Sequence, residues 1–410
     1  MLPGREIFYI LASYYYKELR MDLDRLRQAL ADADIPVLLM VLVHLTGDTR
    51  WIEGDYKPVR DNRIIAEPSG GLSPEIQQEV RDALFAEIER RDGKFDDLTI
   101  PDDRILASMM ETFLGRRVPP EYLGLVRSDL VGLGIDSAVP AKISTEVDLD
   151  TVIVGAGVSG IAAGVRLSQA GVPFKILERN DGVGGTWRNN TYPEAGVDTP
   201  NHFYSLSFAR KNDWPYYFSK QPELLKYLEK CVDDFELRDR IEFESVVTRL
   251  TYDDALQHWT TEYTDKNGVQ QKVVSRFVIT ALGLLNEPSV PKFPGIDQFT
   301  GQIIHTSRWP AGVDLAGKRV ALVGVGASGV QAARSIAQEA ESLVIYQRSP
   351  QWIMPNPDYH AAVSDEKQYL LKHLPFYADW YRLGLFWRYG DGLLPSLRQY
   401  RRPPGREARP

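Results

Sequence analysis

The stretch LDTVIVGAGVSGIAAGVRLSQAGVPFKILERN, from Leu149 to Asn180, decides how the rest of the chain is read. A β-branched run, Thr151 to Val154, meets three glycines at once: Gly155, Gly157 and Gly160. Ile161, Val165 and Leu167 then recur at helical spacing, and FKILE reads as a second strand ending in Glu178. Strand, glycine turn, helix and strand in this order form the βαβ unit that binds a dinucleotide. The first glycine permits the tight turn, the second lets backbone N–H groups approach a pyrophosphate, and the third lets helix and strand pack closely. The helix N-terminus then faces the phosphate charge. Glu178 stands where a carboxylate can accept hydrogen bonds from a ribose diol. A glycine-rich turn in an unrelated sheet is the plain alternative, and the acid at the end of the second strand counts against it.

The pattern recurs downstream in GKRVALVGVGASGVQAARSIAQEAESLVIYQRSPQW, Gly317 to Trp352, with Gly324, Gly326 and Gly329 and a helix starting near Ser328. Here the second strand ends in Gln347, Arg348 and Ser349 instead of an acid. A carboxylate would repel a ribose 2′-phosphate; a guanidinium can hold it bidentately and a hydroxyl can add a bond. The second site therefore reads as one for NADPH. Two dinucleotide sites of opposite charge preference suggest a flavoprotein with FAD at the first and NADPH at the second.

Upstream, residues from about 20 to 140 read as helical. Leu23, Leu26 and Leu30 share one helix face, Pro36 starts an apolar helix ending near Gly47, and Ser73 with Pro74 opens a helix whose face is Ile76, Val80, Leu84 and Ile88, closed by Gly93. His44, inside an apolar run, reads as a core histidine. A polar stretch near IDSAVPAKISTE reads as a linker. With 43% hydrophobic and 25% charged residues the 410-residue chain has apolar side chains enough for two or three cores. A formal charge of −8 excludes the basic field of a general nucleic-acid binder. Cys231 is the only cysteine, so no internal disulfide or cysteine metal site is expected, and a cytoplasmic setting fits. The apolar runs IFYILASYYY and IPVLLMVLVHL are too short to span a bilayer.

Between the two fingerprints lies FTGQIIHTSRWP, carrying Phe299, Gly301, His305, Trp309 and Pro310 in the pattern F-x-G-x-x-x-H-x-x-x-W-P. This resembles, without a mismatch, the signature of the type I Baeyer–Villiger monooxygenases. GGTWRNNTYPEAGVD resembles the family's flavin-side motif through Gly184, Gly185, Trp187, Tyr192, Pro193 and Asp198, with Glu194 where Gly or Met is commoner. FVITALGLLNEPSVP resembles the strand and linker by which such flavoproteins leave the FAD domain. The resemblance runs from about residue 148 to about 395. The added helical region, with ADIPVLLMVLVHLTGD, looks like the hydroxyacetophenone monooxygenase branch, which oxidises aryl ketones to esters.

The resemblance implies an α/β fold with two Rossmann-like dinucleotide-binding domains preceded by a helical N-terminal domain. The expected boundaries are 1–145 for the helical domain, 146–288 for the first part of the FAD-binding domain, and 289–410 for an incomplete NADPH-binding domain. It implies oxygen transfer from O2 to a ketone through a C4a-peroxyflavin. It places Asp198 beside an arginine well downstream of the NADPH motif, for which this sequence offers no counterpart at a matching position, and gives His305 and Trp309 a linker role that couples the NADPH domain to the flavin site. Gly185, Thr186, Trp187, Tyr204 and Val247 are further implied flavin-side contacts. No metal, nucleic acid or membrane partner is expected; a homodimer through the N-terminal domain is compatible with the reading, and the sequence does not fix the oligomeric state. The family fold returns to the FAD domain after the NADPH insertion, whereas this chain ends at Pro410 in RRPPGREARP, which reads as a GC-rich gene out of frame or as a natural tail. The N-terminal MLPGREIFYILASYYYKEL similarly reads as an upstream start. Truncation is therefore an expectation. The alternatives are an N- or S-oxygenating flavin-containing monooxygenase and an inactive fragment that only binds nucleotide.

Overall fold

The computed structural model describes residues 21–59, 63–95, 98, 100–130, 149–285, 287–351, 353, 355–390 and 392. The expected linker, the first apolar run, the 145/146 boundary and the Arg/Pro-rich tail lie outside the described residues. Two compact units divide the chain: one holds the described residues of Met1–Ala138, Asp198–Phe218 and Asn356–Pro410, the other those of Val139–Val197 and Ser219–Pro355.

The first unit opens with helices α1 (Leu23–Ala29), α2 (Ile35–Thr46), α3 (Pro74–Arg90), α4 (Asp103–Leu114) and α5 (Tyr122–Leu130). Three of the starts have a side-chain cap. Asp22 caps α1 by accepting the Arg25 N–H at 3.0 Å, Ser73 caps α3 by accepting that of Ile76 at 3.4 Å, and Asp102 caps α4. Helix α2 is apolar all round and is accordingly buried nearly throughout. It stops at Gly47, which takes the left-handed φ of +70°.

The second unit is α/β. It contains β1 (Thr151–Val154), α6 (Val158–Ala170), β2 (Phe174–Leu177), a single turn α7 (Thr186–Asn189), α8 (Gln221–Asp234), β3 (Ile241–Glu242), β4 (Val246–Asp253), β5 (His258–Thr264), β6 (Gln270–Ser275) and β7 (Phe277–Thr280). One sheet is parallel in the order β3-β2-β1-β7, with Thr151 opposite both Phe174 and Phe277. All four residues of β1 are buried, as a central parallel strand requires. An antiparallel sheet β4-β5-β6 packs Val247 and Tyr263 against Val152, Val154 and Leu177. Farther along, β8 (Arg319–Val323), α9 (Ala327–Glu339) and β9 (Ser342–Tyr346) repeat the βαβ motif, β8 and β9 pairing in parallel.

The chain then re-enters the first unit as α10 (Asp365–His373) and α11 (Tyr377–Tyr389). The segment expected as one domain over 289–410 is thus divided at 355/356, and 198–218, expected with the first nucleotide domain, belongs to the helical unit. The physical reason is aromatic packing. In that unit His44 of α2 stacks on Phe376 at 4.1 Å and accepts the Trp380 indole N–H at 3.0 Å. His44 is therefore a hydrogen-bonded core histidine.

Candidate functional site

The first crevice is built where β1 ends. Gly155 has φ +103° and faces the Ala281 carbonyl, which a Cβ there would meet at 2.8 Å. A Cβ at Gly160 would lie 1.9 Å from the Gly155 oxygen, so helix α6 approaches the turn only because neither position carries a side chain. Gly157 caps α6, and its Cα stands against Gly185, where an added Cβ would come within 3.0 Å of it. The Gly184 N–H donates to the Ala156 carbonyl at 3.0 Å. The structure thus brings Gly155, Gly157, Gly160 and Gly185 together. Thr186 and Trp187 open the turn α7 that follows, Thr186 exposed and Trp187 buried.

Glu178 closes the same crevice from the end of β2 and is 3% exposed. One carboxylate oxygen accepts the Ala156 N–H at 2.6 Å; the other accepts the Asn180 N–H at 2.9 Å and its side-chain amide at 2.6 Å. Sequence reasoning missed these partners: the acid holds the glycine turn in place. A carboxylate has about four lone-pair sites, so acceptor capacity remains after three bonds.

The second crevice repeats the plan in a more open form. Gly324 has φ +100° and donates its N–H to the Tyr346 carbonyl at 2.9 Å; Gly326 caps α9; a Cβ at Gly329 would lie 2.5 Å from the Gly324 oxygen. A Cβ at Gly324 or Gly326 would meet nothing within 4 Å. Ser328 lies in the first turn of α9, and Arg348 and Ser349 are exposed just beyond β9.

The intervening signature has a local role that can be stated. His305 caps a short 3-10 turn, Thr306–Arg308, its Nδ1 accepting the Ser307 N–H at 3.2 Å. Trp309 packs on a cluster formed by Tyr192, Ala195, Leu315, Ala332 and Ile336, and its carbonyl accepts the Thr191 hydroxyl at 3.3 Å. Within the flavin-side motif the Ala195 N–H closes a turn onto the Tyr192 carbonyl at 3.1 Å, with Glu194 at φ +67°. That conformation suits glycine best, which accounts physically for glycine, though not for Met, at that position.

Three further implied contacts have these local settings. Val247 is on β4, paired with Tyr263 beneath β1. Asp198 and Tyr204 belong to the helical unit, where the Asp198 carbonyl accepts the Tyr389 hydroxyl at 2.8 Å and the Tyr204 N–H donates to Pro200 at 2.9 Å. Among the described residues no group of acidic, His or Cys side chains could hold a metal ion, and no helix is long and apolar enough to cross a membrane.

Two glycine-turn crevices in one unit, one ending in an acid and one in an arginine, define an α/β scaffold of the two-dinucleotide class. Residues 150–360, just over half of the chain, match the flavin-binding monooxygenase-like family, and the chain belongs to that family. The "Uncharacterized monooxygenase y4iD" of Sinorhizobium fredii is 35% identical over 382 residues, covering 92% of this chain and 56% of that protein. A Baeyer–Villiger monooxygenase of Streptomyces coelicolor is 40% identical over 236 residues, covering 57% of this chain and 44% of its own length. Among solved structures, OTEMO in complex with FAD and NADP is 35% identical, covers 54% of this chain and 43% of that one, and superposes with a TM-score of 0.51. The chain spans about half the length of the curated relatives it matches.

Proposed function

We propose that the chain acts as an FAD- and NADPH-dependent monooxygenase of Baeyer–Villiger type, inserting one oxygen atom of O2 into a ketone to give an ester. The observation that carries the reading is the pair of unlike crevices in one unit: the buried Glu178 at the first and the exposed Arg348 and Ser349 at the second. Relatives named as Baeyer–Villiger monooxygenases and a solved relative holding FAD and NADP support it.

The residues fit both groups. At the first crevice Gly157 and Gly185 offer backbone without side chains at the N-terminus of α6, a place for a pyrophosphate, and Glu178 offers acceptor capacity for a ribose diol. At the second, the open approach over Gly324 and Gly326 and the positive side chain beyond β9 suit a 2′-phosphorylated nucleotide. Bound flavin supplies the redox and oxygen chemistry. The chain's own residues hold it, select NADPH and shape the linker: His305 fixes the turn before Trp309, and Trp309 fixes that turn on the cluster around Tyr192. Asp198 is assigned the positioning role of the family aspartate.

The finer reading is an aryl ketone substrate, in the manner of the hydroxyacetophenone monooxygenases. The helical first unit supports it, and the match to y4iD, which extends over 92% of the chain, includes that unit. The test is to purify the chain, record its absorbance for co-purified flavin, then supply NADPH, O2 and a panel of aryl and alkyl ketones, amines and sulfides. Ester from the aryl ketones is the expected outcome. N- or S-oxide in its place assigns the chain to amine or sulfide oxygenation, and failure to retain added FAD sinks the flavoprotein reading altogether.

A further inference from the structure

Gln331, a polar side chain of α9, reaches back to the flavin-side motif through two hydrogen bonds. Its Oε1 accepts the Tyr192 hydroxyl at 2.8 Å, and its Nε2 donates to the Gly196 carbonyl at 3.0 Å. The two partners bracket the turn Tyr192–Ala195. Next to Gln331, Ala332 is fully buried in the cluster that also contains Tyr192, Ala195 and Ile336. The other side of the turn is tied to the first module, since the Gln221 N–H at the start of α8 donates to the Ala195 carbonyl at 2.8 Å. One short turn is therefore gripped by both modules.

We infer that Gln331 is a positioning residue that sets the placement of the second dinucleotide crevice against the first. It lies on α9, five residues beyond Gly326, whose position at the helix N-terminus defines the second crevice. The turn it grips follows directly from Gly185 and Trp187, which define the first. A dispersive contact between Ala332 and Tyr192 tolerates sliding. Two directional bonds from one amide, one accepted and one donated, do not. Transfer between two bound rings depends on their separation, and a displacement of about 1 Å can lower a rate by roughly a hundredfold.

The inference rests on the proposed function only for its kinetic readout. Gln331→Met keeps the size and the packing while removing both bonds, and Gln331→Glu keeps the acceptor for Tyr192 while removing the donor to Gly196. Exposed Gln338, on the same helix, supplies the control Gln338→Ala. Amide hydrogen exchange over Thr191–Gly196 should speed up in Gln331→Met, to a lesser degree in Gln331→Glu, and not in Gln338→Ala. In stopped flow with FAD bound, reduction by NADPH should slow by about tenfold or more in Gln331→Met, while NADP+ affinity and FAD retention change by less than about threefold. Tyr192→Phe combined with Gln331→Met should cost less than the sum of the two single effects, because they share a bond. Unchanged exchange, or additive behaviour, overturns the inference whatever the enzyme does. Faster exchange with an unchanged reduction rate makes Gln331 a structural residue and also overturns it. A wild-type protein that takes up FAD yet shows no reduction by NADPH refutes the proposed function instead, and the exchange measurement still decides for Gln331.

Discussion

Beyond β9 the side chain of Arg348 is exposed, and the described residues of the segment Gln347–Pro350 form no part of a core. Removing it should therefore leave folding intact and act on nucleotide choice. Arg348→Ala should weaken NADPH binding by roughly 1.5–3 kcal/mol, the scale of a charged hydrogen bond, and leave NADH almost unaffected; equal losses in titrations with the two cofactors would remove Arg348 from the site. This expectation could be drawn from the sequence because it depends on charge alone. His202 was not legible in that way. It is buried in the helical unit, its ring edge-on to Tyr381 at 5.3 Å, with neither ring nitrogen hydrogen-bonded. Burial, reinforced by the charge of Lys367, pulls its pKa down to about 3. Below about pH 6.5 the unfolded chain binds a proton that the folded chain refuses until about pH 3. His202 thus favours folding fully above that window, and the contribution is lost as pH falls through it, by on the order of a few kcal/mol in all. His202→Phe should flatten the decline in urea midpoint between pH 6.5 and 4.5 relative to wild type. An identical decline in both proteins would show that the histidine ionises freely in the fold. Nothing in the local sequence NHFYS marks this residue as buried; only tertiary packing does.

Helix ends were the most readable elements, because caps are local chemistry: Ser73 before Pro74, Gly47 after an apolar run, the glycine turns after each β-branched strand. What one helix does to another was hidden. Nothing in SDEKQYLLKH marks Lys367 of α10 as buried, yet it is 2% exposed and its Nζ lies 3.1 Å from Asp34, the residue before α2. The Tyr377 hydroxyl of α11 donates to the same carboxylate at 3.1 Å and accepts the Asp34 N–H at 2.8 Å. The start of α2 and two consecutive helices more than 300 residues downstream are thereby joined by one charged knot. Burial alone would lower the Lys367 pKa, but the Asp34 charge, helped by the surrounding tyrosines, outweighs it and raises the pKa well above normal. Burial and Asp34 likewise raise that of Tyr377. Both raised values favour folding below the ordinary pKa of about 10 and lose that contribution as pH rises through the folded values. Alkaline unfolding should accordingly set in above about pH 10. Lys367→Met and Asp34→Asn should each destabilise by roughly 3–5 kcal/mol, and the double variant by clearly less than their sum. Additive losses in a denaturant series would show that the pair is not coupled.

At the scale of the whole molecule, the order of α/β modules was legible and the path of the chain was not. Two glycine fingerprints announce two βαβ modules, but nothing in TPNHFYSLSFARK or DYHAAVSDEK says that these stretches join the helical unit. Their aromatic residues choose a partner by shape, which local periodicity does not encode. The same limit governs the second βαβ module. Side chains alternate across a strand, and the parallel register Ala321↔Val344 and Val323↔Tyr346 places these four on one face of the β8-β9 sheet. All four are exposed, although the strands read as sequences of a sheet covered on both sides. After β7, Leu284 and Leu285 are also almost fully exposed. An uncovered apolar face of this kind attracts apolar dyes, and each square ångström that is covered stabilises by about 25 cal/mol. The isolated chain should therefore enhance the fluorescence of anilinonaphthalene sulfonate in native buffer while keeping a cooperative unfolding transition. That combination separates a folded protein with an open sheet face from a loosely packed one, which would bind dye and lose cooperativity together. Val323→Thr with Val344→Thr keeps the branched shape of the strands while making the face polar, and should reduce the dye signal by about half or more without lowering the unfolding free energy by more than about 1 kcal/mol. If the native chain leaves the dye dark, that face is covered in solution, and the β8-β9 sheet has neighbours that its two strands alone do not supply.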